Sequence, residues 1–258
     1  MADIEVAIAD GIATVTLNRP DKMNAMRLAM WRDVARIFRD LGGDAAARVV
    51  VLTGAGGHFS AGADISEFPV VRKDAETGAI YNAAVDAAIE AIAGAPKPVI
   101  AAISGNAIGG GMELALACDF RIADANARGG ITAAKRGIVY GLHACRMLVD
   151  VVGKVSAKHI LYSGQLVHAD EGFRIGLFDR LADGDPVADA FDYAETLKKA
   201  APFSVRGAKL AIEAIAAGRE DEVRDEHAAL ASAALESEDY REATRAFAER
   251  RAPVFVGR

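Results

Sequence analysis

The sequence predicts an α/β fold with parallel strands and a helical region at its C-terminal end. Apolar runs of strand length, at residues 49–53, 98–103 and 120–123, are separated by segments with apolar residues at helical spacing. Such alternation is typical of parallel strands, because each parallel pair needs a long crossover connection, usually a helix. Toward the C-terminus the pattern becomes purely helical. We therefore predict a core over residues 1–187 and a helical region over residues 188–258.

The first elements are predicted to be a β-hairpin and a helix. Apolar and polar residues alternate over residues 5–9 and 12–17, on either side of Asp10-Gly11, which is a hairpin signal. Residues 23–41 carry apolar side chains at helical spacing, and Asn24 is the expected N-cap.

The later elements continue the alternation. Residues 69–79 are polar and mixed and predict a mobile loop, and residues 81–92 predict an alanine-rich helix. Two helices are expected at residues 141–152 and 155–162. The C-terminal region is predicted to contain four more, at residues 188–199, 204–217, 221–235 and 239–250.

Composition narrows the function classes. The chain has 258 residues, 52% of them hydrophobic, and a formal net charge of −6. An acidic chain is not expected to bind nucleic acid or an anionic membrane well. No apolar stretch approaches the ~20 residues of a membrane span. Cys118 and Cys145 lie in apolar context without a disulfide framework or a CxxC metal pattern. The acidic N-terminus does not resemble a signal peptide, so we expect a cytoplasmic protein.

A glycine-rich turn is the first candidate site. Gly109, Gly110 and Gly111 stand between a buried strand and a helical pattern that starts at Met112. Glycine permits close approach of a ligand, and a helix N-terminus presents unpaired N–H groups with partial positive charge. This arrangement suits a developing oxyanion, and Glu113 lies one turn inside the helix. The alternative is a turn that only serves strand–helix packing.

A second glycine-flanked turn strengthens the first interpretation. Residues 58–68 follow the strand at 49–53 and contain Gly62-Ala63-Asp64. Two such turns, each after a buried strand, could direct two backbone N–H groups at one carbonyl oxygen.

At this point the sequence resembles the crotonase (enoyl-CoA hydratase/isomerase) superfamily. The resemblance covers nearly the whole chain in the family's order, through LNRPDKMNAM (17–26), FSAGAD (59–64), residues 98–119 and FAERRAPVF (247–255). It implies a spiral of stacked ββα units. It also implies a CoA thioester held with its carbonyl between the N–H groups of Ala63 and Gly110, which would stabilise an enolate. Because CoA is part of the substrate, no separate cofactor is expected.

The resemblance also implies a wider binding surface and an oligomer. The C-terminal helical region would cover the CoA and form a homotrimer or a dimer of trimers, with residues 247 and 251 facing the nucleotide of their own or a neighbouring subunit. A solvated basic face is the alternative for the arginine, and a solvated loop lysine is the alternative for residue 22. The implied substrate-binding residues are Lys22, Ala61, Asp64, Ile65, Phe68, Thr132, Ala133, Phe247 and Arg251.

The sequence departs from the hydratase pattern at one position. Hydratases of this family use two glutamates, and Glu113 occupies the first position. Alignment on Gly137 puts Ala133 at the second, and no other carboxylate lies within residues 126–149. A methyl group cannot carry a proton, so the two-glutamate mechanism is not expected.

Three functions therefore remain open. The main hypothesis is a lyase of the enoyl-CoA hydratase/isomerase family that keeps Glu113 as its acid/base. The layout of Thr132, Tyr140 and Glu113 also resembles decarboxylases of methylmalonyl-type CoA, although those carry histidine in place of Ala63. The third hypothesis is an acyl-CoA-binding protein with little turnover. RNA binding ranks last, since the relatives that bind RNA are basic.

Overall fold

The computed structural model describes residues 2–258, which contain nine strands and ten α-helices. The strands are β1 (Ile4–Ala9), β2 (Ile12–Leu17), β3 (Val49–Gly54), β4 (Val99–Ile103), β5 (Asn106–Ile108), β6 (Phe120–Ala123), β7 (Arg128–Gly130), β8 (Val167–His168) and β9 (Arg180–Leu181). The helices are α1 (Leu28–Gly43), α2 (Phe68–Val71), α3 (Ala75–Ala93), α4 (Gly110–Ala117), α5 (Leu142–Ser163), α6 (Ala169–Arg174), α7 (Pro186–Leu197), α8 (Pro202–Ala217), α9 (Glu220–Glu236) and α10 (Glu238–Glu249).

The strands form two sheets. The larger has the order β1-β2-β3-β4-β6-β9, and the smaller has the order β5-β7-β8. The β1–β2 hairpin is antiparallel, with Ile4 opposite Leu17, whereas β2, β3, β4, β6 and β9 pair in parallel. The predicted α/β class, the hairpin and the parallel strands are confirmed.

Helices cover both faces of the larger sheet. On one face, α1 and α3 pack against the sheet, and Trp31 and Phe38 are fully buried there. On the other face, α7 places Ala190 and Ala194 against Val51 and its neighbours. Burial on both faces explains why β4 is apolar at every position, since a strand between two helical layers has no solvent side.

The start of α1 corrects one prediction. The helix begins at Leu28, and Asn24 is not its N-cap. Asn24 has a positive φ of 56°, and its side-chain amide donates to the carbonyls of Ala55 (2.8 Å) and His58 (2.7 Å). Asn24 therefore ties this turn to the loop after β3.

Residues 69–79 also differ from the prediction of a loop. They contain most of α2 and the first turn of α3, whose N-cap Asp74 forms a reciprocal capping box with Thr77. The two helices expected from residue 141 onward are present as α5, which is interrupted at Gly153. The four C-terminal helices are confirmed as α7 to α10. No helix within residues 2–258 combines the length and apolar character of a membrane span.

Candidate active site

Backbone conformation and close contacts favour glycine at the N-terminus of α4. Gly109 precedes the helix with φ 56° and ψ −119°, a conformation that only glycine adopts readily. Gly110 opens the helix, and a Cβ there would lie 2.9 Å from the ring of Trp31 and 3.7 Å from the backbone nitrogen of Ala63. The backbone at Gly110 is thus pressed between a buried aromatic ring and the second turn.

The second turn is held against the first by hydrogen bonds. Ser60 pairs with Ala107 of β5 in an isolated bridge, and the N–H of Ile108 donates to the Ser60 carbonyl at 2.9 Å. The Ser60 hydroxyl donates to the Asn24 carbonyl at 2.8 Å and accepts from the N–H of Gly62 at 3.1 Å. These contacts fix the chain on both sides of the residues before Ala63.

Two backbone N–H groups at this junction have no hydrogen-bond partner among the described residues. Within residues 2–258, neither the N–H of Ala63 nor that of Gly110 donates a hydrogen bond to another protein group. Both residues border a pocket of about 230 Å³. Unpaired backbone donors are unfavourable unless water or a ligand accepts from them. The two predicted turns are therefore brought together as donors at one cavity.

Glu113 is the buried carboxyl group of this pocket. Glu113 is only 7% exposed, and the Tyr140 hydroxyl donates a hydrogen bond to its Oε2 at 2.9 Å. Burial raises the pKa of Glu113 to about 7; the hydrogen bond from Tyr140 opposes this rise, and the charge of Asp86 adds to it. A carboxyl group with a pKa near 7 can both accept and release a proton at neutral pH.

Tyr140 stays protonated under the same conditions. Its pKa is raised well above its usual value, first by burial and then by the negative charge of Glu113. Its hydroxyl also lies 3.4 Å from the Gly109 carbonyl, a longer contact than the one to Glu113. Tyr140 therefore acts as a hydrogen-bond donor that orients the carboxylate.

Ala133 lines the same pocket and carries no proton-transferring group. It begins a short 3₁₀-helix, residues 133–136, that leads toward Tyr140. Among the described lining residues, Glu113 and Asp86 are the carboxylates, and Asp86 is exposed on α3. No group of three or more His, Cys, Asp or Glu side chains within residues 2–258 is arranged to hold a metal ion.

The pocket contains most of the predicted site residues and several that were not predicted. The predicted residues in its lining are Ala61, Ala63, Ile65, Phe68, Gly110, Glu113, Thr132, Ala133 and Tyr140. The unpredicted polar and aromatic lining residues are Trp31, Arg72, Tyr81, Asn82, Asp86 and Arg136. Residues 81, 82, 85 and 86 recur at i, i+1, i+4 and i+5 on α3. This spacing places the four residues on one face of the helix. It is the sequence pattern from which they could have been predicted to line the pocket.

Two predicted binding residues in the N-terminal part lie outside the lining. The Asp64 carboxylate accepts from the guanidinium of Arg19 at 2.9 Å and from the hydroxyl of Ser66 at 2.6 Å. It caps the 3₁₀-helix at residues 65–67 and joins this loop to the turn after β2. Lys22 is exposed in that turn.

The two predicted C-terminal residues are also outside the pocket of their own chain. Phe247 on α10 is 89% exposed. The Arg251 guanidinium is bound by Glu242, with contacts of 2.5 and 3.0 Å, and by Glu249 at 2.6 Å. These carboxylates hold Arg251 against α10.

Known proteins with the same sequence pattern and fold are hydratases and their relatives. A family model described as "Enoyl-CoA hydratase/isomerase" matches residues 7–258. The chain is 36% identical to an (E)-benzylidenesuccinyl-CoA hydratase of Thauera aromatica, over 98% of this chain and 99% of that protein. It is 34% identical to a short-chain-enoyl-CoA hydratase of Clostridium acetobutylicum, over 93% and 92% of the two chains. Its fold matches a solved enoyl-CoA hydratase/isomerase family structure from Hyphomonas neptunium with a TM-score of 0.94 and 33% identity, over 100% of this chain and 98% of that one.

Proposed function

The chain belongs to the enoyl-CoA hydratase/isomerase family, and we propose that it is an acyl-CoA lyase that hydrates an α,β-unsaturated thioester through an enolate. The observation that carries this proposal is the buried pair of Glu113 and Tyr140 beside two unpaired backbone N–H groups. This arrangement supplies a proton carrier and an electrostatic site for negative charge in one cavity.

The oxyanion site is assigned to Ala63 and Gly110. In this proposal the thioester carbonyl oxygen accepts hydrogen bonds from both N–H groups. The same two groups stabilise the negative charge that develops on this oxygen when a nucleophile adds to Cβ. Gly110 is the first residue of α4, so the helix dipole adds to the stabilisation. Each donor of such a site is worth about 10²–10³ in rate in other enzymes.

Glu113 is assigned as the acid/base. Ionised Glu113 takes a proton from water, and the hydroxide oxygen bonds to Cβ while the π electrons move into the thioester as an enolate. Protonated Glu113 then returns its proton to Cα, and the carbonyl re-forms. One molecule of water is added, and the enzyme recovers its starting state. A single carboxyl group suffices because it receives a proton before it must give one.

Tyr140 supports that cycle in place of a second carboxylate. It lies 2.9 Å from Oε2 of Glu113, and the neighbouring lining residue Ala133 offers only a methyl group. The hydrogen bond is strongest when Glu113 is ionised, since charge-assisted hydrogen bonds are stronger than neutral ones. Tyr140 therefore favours the ionised state that deprotonates water. The hydratases similar to this chain support hydration as the reaction, without identifying its acyl group.

Decarboxylation of a malonyl-type CoA is the second candidate. The bond from Cα to the carboxylate breaks, its electron pair forms the thioester enolate, CO₂ leaves, and Cα then takes a proton. No base is needed to form this enolate, which fits a pocket with alanine at position 133 and a tyrosine hydroxyl nearby. Protonated Glu113 or Tyr140 would deliver the proton.

We also propose that the chain assembles as a trimer or a dimer of trimers. Exposed apolar side chains on the C-terminal helices support this, among them Ile212, Ile215, Leu235 and Phe247. In such an assembly Phe247 and Arg251 could approach the CoA of a neighbouring subunit. Light scattering on purified protein would measure the mass, and a monomer at micromolar concentration would contradict the proposal.

The reaction is tested by loss of the conjugated-enoyl absorbance when the protein is added to enoyl-CoA thioesters. A panel should include a short alkyl, an aryl and a carboxylate-ended acyl group, with CO₂ release from malonyl-CoA and methylmalonyl-CoA measured in parallel. Hydration of any member supports the main proposal, and CO₂ release alone supports the second. Tight binding of CoA thioesters with no turnover of either kind would contradict both.

A further inference from the structure

The Arg72 guanidinium lines the pocket beside two aromatic rings. Arg72 follows α2, and its guanidinium carbon lies 5.1 Å from the ring centre of Phe68 and 5.2 Å from that of Tyr81. The two rings meet edge to face, with centres 5.9 Å apart. Tyr81 is fixed in turn, because the Trp31 indole donates to its hydroxyl at 2.9 Å. Arg72 is thus held between two aromatic rings that are anchored in the core.

Arg72 has no acidic partner in the part of the chain that the structure describes. Within residues 2–258, no carboxylate lies within 4.0 Å of its guanidinium, and its side chain makes no hydrogen bond. Other arginines with little exposure have partners: Arg19 pairs with Asp64 at 2.9 Å, Arg121 pairs with Asp179 at 2.7 Å, and Arg48 donates to two backbone carbonyls. A half-buried guanidinium keeps its positive charge and its five N–H donors. When such a group lines a ligand pocket without a protein partner, it is suited to bind an anionic group of the ligand.

We propose that Arg72 binds a carboxylate at the far end of the acyl group, so that the preferred substrate is a CoA thioester of a dicarboxylic acid. This inference rests on the proposed acyl-CoA site. Because cation–π contacts hold Arg72 in place, it can form two parallel N–H···O bonds without ordering a flexible side chain. The Asn82 amide lines the same pocket and offers another donor.

Two other charged groups border the pocket and bear on this assignment. Arg136 lies at its exposed edge, in the 3₁₀-helix at residues 133–136, and is the alternative cation. Asp86 lies on the same face of α3 as Asn82 and repels an incoming carboxylate. Arg72 is preferred over Arg136 because two aromatic rings fix it and its surroundings shield it from solvent.

The test is a ratio of dissociation constants. Calorimetry would compare matched pairs of saturated CoA thioesters: butyryl with succinyl, valeryl with glutaryl, and hexanoyl with adipyl, each pair being a methyl-ended chain and a carboxylate-ended one of the same length. We expect at least one carboxylate-ended thioester to bind about tenfold or more tightly than its counterpart, the range for a hydrogen bond to a charged group. In Arg72→Gln the ratio should fall to near one, and Arg72→Lys should retain part of it.

Two control variants locate the effect. Arg136→Gln tests the other cation of the pocket, and Arg32→Gln removes an exposed charge on α1 outside the pocket. Both should keep the wild-type ratio. A wild-type ratio near one for all three pairs would overturn the inference, and so would loss of the ratio in Arg136→Gln but not in Arg72→Gln.

These thioesters have no double bond, so the result does not depend on turnover. If the carboxylate preference is present while no enoyl thioester is hydrated, the role of Arg72 stands and the proposed reaction fails. If no thioester binds at all, the role of Arg72 and the acyl-CoA site fail together.

Discussion

The hydroxyl of Tyr140 donates to the carboxylate of Glu113 at 2.9 Å, inside a pocket whose position 133 carries only a methyl group. The two residues are 27 positions apart, on α4 and on the segment before α5. In the proposed reaction, this pair takes the place of an arrangement in which a second carboxylate would share the proton transfers. The chemistry proposed for the chain depends on how the pair sets the protonation of Glu113.

Tyr140→Phe should move the pH dependence of catalysis upward. The hydrogen bond from Tyr140 lowers the pKa of Glu113, so its removal raises that pKa above the wild-type value of about 7. Because Glu113 must be ionised to take a proton from water, the acid limb of the kcat/KM profile should shift to higher pH. Activity should therefore fall more at pH 6 than at pH 9. An unshifted limb would mean that Tyr140 only lines the pocket.

Much of this site followed from local sequence patterns. The glycines at 109–111 and the turn at 62–64 predicted two backbone donors, because each follows an apolar strand and parallel strands bring such turns to one edge. The structure does place Ala63 and Gly110 at one pocket. Glu113 followed in the same way, since it lies in the first turn of the helix that the glycines open.

Other features depended on tertiary contacts that no local pattern encodes. Asn24 satisfied the rule for an N-cap, yet its side-chain amide donates to backbone carbonyls more than thirty residues away in the sequence. Arg72 lay in a segment that was predicted to be a loop, and its position depends on the rings of Phe68 and Tyr81. Asp64 matched a family motif, but Arg19 and Ser66 engage its carboxylate.

Ala133→Glu should increase hydration if the missing carboxylate limits the reaction. A glutamate at this lining position adds a second proton carrier to the pocket that holds Glu113, and general acid–base groups contribute about 10²–10⁴ in rate. We expect at least a tenfold rise in kcat for hydration and a fall in any decarboxylation. Ala134→Glu is the matched control, because Ala134 is exposed and outside the lining. Equal rates in both variants would show that a second carboxylate is not limiting.

Gly110→Ala should damage the oxyanion site. The added methyl would lie 2.9 Å from the fully buried Trp31 ring, so the start of α4 must shift. We expect kcat/KM to fall about 10²-fold, the loss typical of one misplaced donor, and the protein to lose about 1–3 kcal/mol from overpacking.

The control for this substitution is Gly78→Ala in α3, where an added Cβ meets no atom within 4 Å. This variant should keep wild-type kcat/KM and gain about 0.5–1 kcal/mol, since alanine favours helix over glycine. Wild-type kcat/KM in Gly110→Ala would contradict the assignment of its N–H group.

Glu113→Gln should stabilise the protein at high pH. The folded pKa of Glu113, about 7, lies above its ordinary value of 4.5, so its ionisation opposes folding by on the order of 3 kcal/mol once the pH exceeds 7. This penalty is absent below pH 4.5 and grows between pH 4.5 and 7. Glutamine carries no charge at any pH. The Tm advantage of Glu113→Gln over wild type should therefore grow from pH 5 to pH 8, whereas a pH-independent difference would argue against a raised pKa.

The central claim is that Glu113 carries the protons of an enoyl-CoA hydration. It is tested most directly by kcat/KM for the best enoyl thioester of the panel, measured at pH 8 in wild type, Glu113→Gln and the control Glu90→Gln, whose side chain is exposed on α3 outside this pocket. We predict a loss of about 10³-fold or more in Glu113→Gln and wild-type activity in the control. A rate in Glu113→Gln within a few-fold of wild type would contradict the account.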